Sequence, residues 1–265
     1  MKTLFGKSMT ALATVAAFGL GVSPVMAEEI YPQFKIDQGS NGITLAENQD
    51  RYVVASKIVG GYREVISFGA GTFQASLVYQ ASQFVDIGGT NDATNIANYG
   101  LYGIYTASGT FSTVGGKTVF SFVPSNTDSF SLFLDLGAKT KFTEPATGAE
   151  AFAKTGADTD KLLATGKPIT GAGSIECFAA NLCGSFGATT SFDLTDAGKL
   201  FFIEPTPFYG MSIQTGQLNK FAPSGRVVID GSIDTIFAVP EPTPIALLGL
   251  GFLGLALSRR RARKQ

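Results

Sequence analysis

The sequence predicts an all-β fold, a β-sandwich or jelly roll with short glycine-rich turns. Three observations lead to this prediction. Apolar and polar side chains alternate with a period of two in several segments, which is the pattern of half-buried strands. Gly accounts for 32 of the 265 residues, and Gly pairs separate those segments. Charged residues make up only 15% of the chain and apolar residues 45%, which excludes an intrinsically disordered chain.

The alternation is clearest at 72–79, 117–122 and 129–136. Seven of its residues are expected to point into one interior: Phe73, Leu77, Phe120, Phe122, Phe130, Leu132 and Leu134. Further strands are predicted at 52–59, 62–68, 99–106, 186–193, 199–204, 207–214 and 226–237. Turns are predicted at Gly60-Gly61, Gly69-Ala70-Gly71, Gly88-Gly89, Gly115-Gly116 and 125–128. The Ala, Thr and Lys content of 144–173 interrupts this rhythm and predicts either a short helix near 149–164 or a mobile loop.

The N-terminus has the order of a secretory signal peptide. Lys2 and Lys7 precede an uncharged, mostly apolar stretch at 11–22, and small residues then lead to a predicted cleavage between Ala27 and Glu28. A transmembrane anchor is the alternative. The apolar stretch is shorter than the ~20 residues that span a bilayer, so cleavage is favoured.

The C-terminus has three consecutive parts. Pro240, Glu241 and Pro242 form a rigid start, because proline disrupts helices and sheet ladders. The uncharged stretch 245–257 would form a helix only about 20 Å long, which is short of a bilayer core. A basic cluster follows: Arg259, Arg260, Arg261, Arg263 and Lys264. Such clusters stay on the cytoplasmic side, so the chain before the helix is expected outside the cytoplasm.

This three-part tail resembles the PEP-CTERM sorting signal of Gram-negative bacteria. The resemblance implies that the tail is read by exosortase, a membrane protease that works alongside exopolysaccharide export, and is removed near the Pro-Glu-Pro. It also implies transient anchoring in the inner membrane and delivery to the cell surface or extracellular matrix. An ordinary short membrane anchor would leave the Pro-Glu-Pro unexplained. The predicted order is a signal peptide at 1–27, a secreted β domain at 28–238 and the sorting signal at 239–265.

Composition excludes several classes of function. The chain has no His, which excludes Ser-His-Asp and Cys-His catalysis and imidazole metal sites. Residues 28–239 carry 13 basic and 20 acidic side chains, and this charge of −7 argues against nucleic-acid binding. A glycosidase would need two carboxylates, and the candidates are Glu64, Glu144, Glu176 and Glu204. An exposed Glu64 is favoured, and no catalytic residue and no enzyme activity are predicted.

Cys177 and Cys183 are the only two cysteines of the chain. Export places them in an oxidising compartment, where an even pair usually forms a disulfide. A metal pair or a redox motif is the alternative. The chain has no further Cys or His to complete a zinc site, and the spacing is not C-x-x-C. We therefore predict a structural disulfide that closes a short loop.

Two patterns raise the question of ligand binding. Asp86, Asn91 and Asp92 surround a Gly turn and offer the hard oxygen ligands that Ca²⁺ prefers. A hairpin connection is favoured instead, and no cofactor is predicted. Six tyrosines would suit stacking on sugar rings if they were exposed, although packing in the core or on a sheet face is favoured. They are Tyr62, Tyr79, Tyr99, Tyr102, Tyr105 and Tyr209.

The predicted β domain resembles the flocculation-associated group of PEP-CTERM proteins. The similarity lies in 60–68, 71–73, 99–105, 200–209 and 230–233. It implies a non-catalytic exported protein that supports exopolysaccharide-associated cell aggregation in flocs or biofilms. Its partners would be exosortase, extracellular polysaccharide and neighbouring cell-surface proteins, and no nucleic acid. A glycan-binding module and a secreted carboxylate-dependent glycoside hydrolase are the alternatives.

Overall fold

The structure, a computed structural model, describes residues 31–87, 93–179, 182–215 and 221–238. The side chains of 176–183 and of Ala238 are outside this description. Contacts divide the chain into Met1–Ile30 and Tyr31–Gln265, and all described residues belong to the second unit. The predicted signal peptide, the helix at 245–257 and the Gly88-Gly89 turn lie outside the described residues.

Strands dominate the described chain, so the all-β prediction is confirmed. The first strands are β1 Phe34–Asp37, β2 Tyr52–Ala55, β3 Lys57–Phe68, β4 Thr72–Val85, β5 Ala93–Asn95 and β6 Gly100–Val114. Next come β7 Lys117–Phe122, β8 Ser129–Asp135, β9 Lys141–Thr143, β10 Ala153–Thr155, β11 Lys161–Gly166 and β12 Pro168–Ala179. The last elements are β13 Leu182–Thr190, β14 Asp193–Leu194, α1 Asp196–Phe201, β15 Phe202–Glu204, β16 Gly210–Thr215 and β17 Gly225–Ala238.

Eight antiparallel strands close into a barrel-like ring. The order around the ring is β4, β6, β7, β12, β13, β16, β17 and β3, and β3 pairs again with β4. The pairing therefore runs continuously around one sheet, and the predicted sandwich or jelly roll is not confirmed. Because the ring is closed, each ring strand is paired on both edges. Few backbone N–H and C=O groups of the ring strands therefore remain unpaired for a strand of another chain.

The sheet forks at β6. The first half of one β6 edge pairs with β8, and the second half of the same edge pairs with β7. From β8 the sheet continues through β11 to β14, which adds a branch beside the ring. Two smaller sheets complete the fold: β15–β1–β2 and the hairpin β9–β10.

Glycine and aromatic residues fit together inside the ring. A Cβ atom on Gly171 would lie 2.3 Å from a ring carbon of Phe122, and one on Gly109 would lie 2.6 Å from the ring of Phe73. Close packing leaves no room for such an atom, so these positions admit only hydrogen as a side chain. The seven residues predicted for the interior are all buried in one cluster, as expected. At Gly109 and Gly171, the absence of a side chain therefore leaves the space that the neighbouring Phe rings occupy.

The turn predicted at Gly60-Gly61 is wrong. Both residues lie within the long strand β3, where the pairing with β4 shifts register between Val59 and Gly60. A Cβ atom on Gly60 would lie 2.1 Å from the backbone oxygen of Gln80. The glycine is thus needed because two backbones approach closely at a bulge. Gly within a strand pattern can therefore indicate a bulge as well as a turn.

The short helix predicted near 149–164 is also wrong, and a mobile loop across 144–173 is wrong for the strands β10, β11 and β12 that this stretch contains. The range 149–164 contains β10 and the start of β11, which pair with β9 and β8. Its Ala and Lys have helical propensity, but pairing with distant strands overrides a preference worth only tenths of a kcal/mol per residue.

The strand predicted at 199–204 begins as a helix. Thr195 caps α1, and its Oγ1 accepts a hydrogen bond from the Gly198 backbone N–H at 3.1 Å. The segment becomes extended only from Phe202 onwards. Within the described ranges, the structure has no helix with the length and apolar character needed to cross a membrane.

Candidate functional site

Strand β3 presents two charged neighbours to opposite faces of the ring, because successive side chains of a strand alternate. Glu64 lies on the inner face with Tyr62 and Ile66, and all three are buried. Arg63 lies on the outer face, where its side chain is 46% exposed. The expectation that Glu64 is exposed is wrong. Its place between Tyr62 and Ile66 in the two-residue alternation was the signal for the inner face.

The chain after β8 covers part of the outer face. The backbone N–H of Gly148 donates a hydrogen bond to Ser67 Oγ at 2.9 Å, and Phe152 packs on Val65 and Val78 in a small apolar cluster. A cavity of about 660 Å³ opens beside this cluster, and we call it the outer groove. Its walls are Arg63, Val78, Gln80, Thr140, Lys141, Phe142, Thr143, Glu144 and Phe152.

A network of ion pairs forms one wall of the outer groove. Arg63 Nε donates to Glu144 Oε1 at 2.7 Å, and Arg226 Nη2 donates to Glu144 Oε2 at 2.9 Å. Arg63 Nη1 also lies 3.0 Å from Asp230 Oδ1. The hydrogen bonds from Arg226 and Arg63 lower the pKa of Glu144, because they favour its charged form. Glu144 is thus held as a carboxylate with both oxygens occupied, whereas a general acid needs a raised pKa.

Tyr102 on β6 connects the ring to the segment that follows β8 through hydrogen bonds with Asp160 and Lys154. Its hydroxyl donates to Asp160, which also accepts a hydrogen bond from Thr140 Oγ1 at 3.0 Å. Lys154 Nζ donates to the Tyr102 hydroxyl at 3.1 Å and lies 3.4 Å from the centroid of the Phe133 ring. Burial raises the pKa of Tyr102, and the hydrogen bond to Asp160 adds to that effect. Tyr102 is therefore a packing residue with a satisfied hydroxyl.

The other tyrosines are mostly interior as well. Five of the six considered are at most 5% exposed, which confirms the core prediction for them: Tyr62, Tyr79, Tyr99, Tyr102 and Tyr105. The sixth, Tyr209, is half-buried and donates to the Gln33 carbonyl at 3.3 Å. These six residues therefore do not form an exposed stacking platform.

A second cavity lies inside the ring beside Glu64. It has a volume of about 30 Å³, and we call it the inner cavity. Burial raises the pKa of Glu64 to about 7. The remaining walls are Ile66, Phe73, Phe120, Phe122, Gly173, Ser185, Phe186, Phe221 and Ile229.

The carboxylates that a glycosidase would need are not brought together among the described side chains. Glu64 and Glu144 lie on opposite faces of β3. Glu204 belongs to the separate β15–β1–β2 sheet and forms an ion pair with Lys35 at 3.7 Å. The side chain of Glu176 lies outside the described residues.

The residues considered for calcium binding and the predicted disulfide lie only partly within the described residues. Asp86 accepts hydrogen bonds from Gln33 Nε2 at 3.0 Å to both carboxylate oxygens, whereas Asn91 and Asp92 lie outside the description. In the part of the chain that the structure describes, no cluster of three acidic or Cys residues suits a metal ion.

Cys177 and Cys183 are register partners in the β12–β13 hairpin. Directly opposed antiparallel residues have Cα atoms ~4.5–5.5 Å apart, within the range that a disulfide requires. Their side chains lie outside the described residues, so the disulfide stays a prediction. Thiol titration of the exported protein checks it, and two free thiols would contradict it.

Comparison with known protein families finds a match in the C-terminal segment and none that covers the ring. Residues 238–261 match the PEP-CTERM protein-sorting motif, and the matched segment begins at the last residue of β17. The chain therefore carries a C-terminal sorting address of the kind that exosortase processes. This motif supports a PEP-CTERM protein, and it implies export and membrane-anchored sorting toward the cell surface. Neither a curated protein nor a solved structure matches the chain.

Proposed function

We propose that the protein is a non-catalytic component of the cell surface or extracellular matrix of a Gram-negative bacterium. After exosortase processing it supports exopolysaccharide-associated cell aggregation, in flocs or biofilms. The observation that carries this proposal is the sorting motif at 238–261, directly behind a ring of strands.

The body suits a structural role for two physical reasons. Its ring strands are paired on both edges, so the fold is held by an uninterrupted set of ladders. On its outer face, the carboxylate of Glu144 is engaged by the guanidinium groups of Arg63 and Arg226. Aggregation needs no tight single site, because many tethered copies raise the effective concentration of weak contacts.

The sorting step is tested in the native host. Deletion of the gene should disperse the cells while polysaccharide secretion continues, and the intact gene should restore flocs. A variant that lacks 240–265 should fail to restore them, because it is no longer sorted. Normal flocs in the deletion strain would contradict the proposal.

The non-catalytic part is tested by removing the candidate carboxylates. A variant with Glu64, Glu144, Glu176 and Glu204 all changed to Gln should still restore flocs if it folds and is exported. Hydrolysis by paired carboxylates does not survive this change. Loss of flocs with a folded, exported variant would favour the hydrolase alternative.

Glycan binding in the outer groove is a second candidate function. The groove volume of about 660 Å³ lies in the usual range for small-molecule sites. The half-buried ring of Phe142 offers an apolar surface, and Gln80 and Thr140 offer hydrogen-bonding groups beside it. An apolar face combined with a few polar groups is what a sugar ring requires.

A matched pair of variants tests the groove. Gln80 and Gln74 are both exposed on the outer face of β4, but only Gln80 lines the groove. Gln80→Ala should weaken retention of the protein on polysaccharide purified from the host, and Gln74→Ala should not. Equal retention of the parent and both variants would exclude this groove as the glycan site.

A further inference from the structure

Glu64 is unusual among the buried residues of the ring. The residue is 7% exposed, and its carboxyl group makes no hydrogen bond or ion pair with any described residue. Buried carboxyl groups are normally paired or hydrogen-bonded, because removing them from water is costly. A buried carboxyl group that lines a cavity without a partner among the described residues points to a further group that enters the cavity.

Aromatic rings make up much of the wall around Glu64. The ring of Phe73 lies 5.6 Å from that of Phe120 and 5.3 Å from that of Phe122, with nearly perpendicular planes. The Phe122 ring lies 4.9 Å from the Phe186 ring. The faces of aromatic rings carry negative potential and attract cations. A cation that met the face of one of these rings would be attracted by the ring as well as by the carboxylate.

Space and charge narrow the class of ligand. A volume of about 30 Å³ has room for one or two groups of the size of a water molecule. Among the described residues of the wall, Glu64 is the only one with a charged side chain, so an anion is disfavoured. The hydroxyls of Tyr62 and Tyr105 are the titratable groups that interact with its charge, and both stay neutral at ordinary pH. Their neutrality leaves the negative charge of Glu64 uncompensated.

We propose that the inner cavity binds a small primary ammonium ion of the size of methylammonium. The ammonium group would lie against the Glu64 carboxylate, and the rings of Phe73, Phe120, Phe122 and Phe186 would surround its carbon atom. The proposal is independent of the role in aggregation, since it concerns a different face of the sheet and is measured on the purified protein.

The test is calorimetric titration of the exported protein with methylammonium chloride, with sodium chloride at equal ionic strength as the blank. Saturable binding is expected, and Glu64→Gln should weaken it at least tenfold. The glutamine is nearly isosteric and removes a buried charge, so this variant should fold. Binding should also tighten at least tenfold between pH 5.5 and pH 8.5, because Glu64 becomes charged within that interval.

Three controls make the result specific. Glu204→Gln removes a 66% exposed carboxylate in another sheet and should leave the affinity unchanged. Phe186→Leu keeps an apolar wall without a ring and should weaken binding about threefold to tenfold. Tetramethylammonium exceeds the cavity and should not bind.

The opposite results overturn the proposal. Equal affinity in the parent and in folded Glu64→Gln would show that the carboxyl group takes no part. Absence of saturable binding at pH 8.5 would show that the cavity serves water alone. Equal binding of tetramethylammonium would place the cation on the surface and not in the cavity.

Discussion

The two faces of β3 shift the pKa of a neighbouring carboxyl group in opposite directions. On the inner face, Glu64 lies among aromatic rings, and burial raises its pKa to about 7. On the outer face, Glu144 receives hydrogen bonds from Arg226 and Arg63, and its pKa is lowered. The two carboxyl groups approach opposite sides of one strand. The face of the sheet that a carboxyl group meets, more than its position along the chain, therefore sets its pKa here.

The faces also differ in how tightly they are packed. The inner face holds rings against glycines at van der Waals distance, whereas the outer face holds long charged side chains that remain partly in water. We therefore expect truncation of a buried ring on the inner face to cost several kcal/mol, and loss of a partly exposed ion pair on the outer face to cost less than about 1 kcal/mol.

The largest effect is expected from truncation of a buried ring. Phe130 is 3% exposed, and Phe130→Ala should lower the free energy of unfolding by about 3–5 kcal/mol. Urea unfolding measures this loss. Val114→Ala is the control, because Val114 is 77% exposed and should change stability by less than about 0.5 kcal/mol. A loss below ~1 kcal/mol for Phe130→Ala would mean that the ring is not in the core.

A pH-dependent loss of stability is expected from Glu64. Its pKa is about 7 in the folded protein against an ordinary value of 4.5, so the folded state binds the proton more tightly. The contribution of Glu64 to the stability of the folded state is therefore fully present below pH 4.5. It is lost as the pH rises through about 7, and the total loss is about 3 kcal/mol.

Urea midpoints between pH 4.5 and pH 8 measure this slope, and Glu64→Gln should remove it. The lowered pKa values of Asp37 and Glu144 act in a different window, because their contributions are lost only at acid pH. The same slope in the parent and in Glu64→Gln would assign the effect to another group.

A smaller effect is expected from filling the space that glycine leaves. Gly171→Ala should cost about 1–3 kcal/mol, because its Cβ atom would lie 2.3 Å from the Phe122 ring. Gly187→Ala is the matched control, since its nearest contact would be 3.6 Å away. Unfolding of both variants measures the difference. Equal stability of the two variants would show that the rings move aside easily.

The smallest effect is expected on the outer face. Arg226→Ala removes the hydrogen bonds to Glu144 and to the Pro145 carbonyl, which join partly exposed groups. The expected loss is below about 1 kcal/mol. The ionic part of this loss should become smaller in 1 M salt, where the Debye length falls to ~3 Å and partly exposed charges are screened. A larger loss that persists in salt would show that this network is a buried structural unit.

Local patterns in the sequence predicted the strands and several turns. The turn at Gly115-Gly116 joins β6 and β7 as expected, and both glycines have positive φ angles of 61° and 82°. The strand predicted at 226–237 is observed as β17. These features depend on neighbouring residues, so alternation and glycine pairs suffice to predict them.

Features that depend on distant residues were not predictable in this way. Closure of the ring requires β4 to pair with β6 as well as β3, and no local pattern states which strands are neighbours. Gly60-Gly61 has the composition of a turn, but a bulge against Gln80 requires the same residues. The burial of Glu64 was readable from its inner-face neighbours, whereas the ion pairs of Glu144 with Arg63 and Arg226 join residues 81 and 82 positions apart.

The last ring strand has a mechanical consequence for a protein sorted by its C-terminus. Strand β17 is paired with β16 on one edge and with β3 on the other, from Gly225 to Ile236 along β3. The sorting motif begins where this strand ends, so tension from that end enters along the strand axis. Antiparallel hydrogen bonds run perpendicular to the strands, so such tension loads both ladders in shear. Many bonds then resist together, and the ring yields as a unit instead of unzipping one pair at a time.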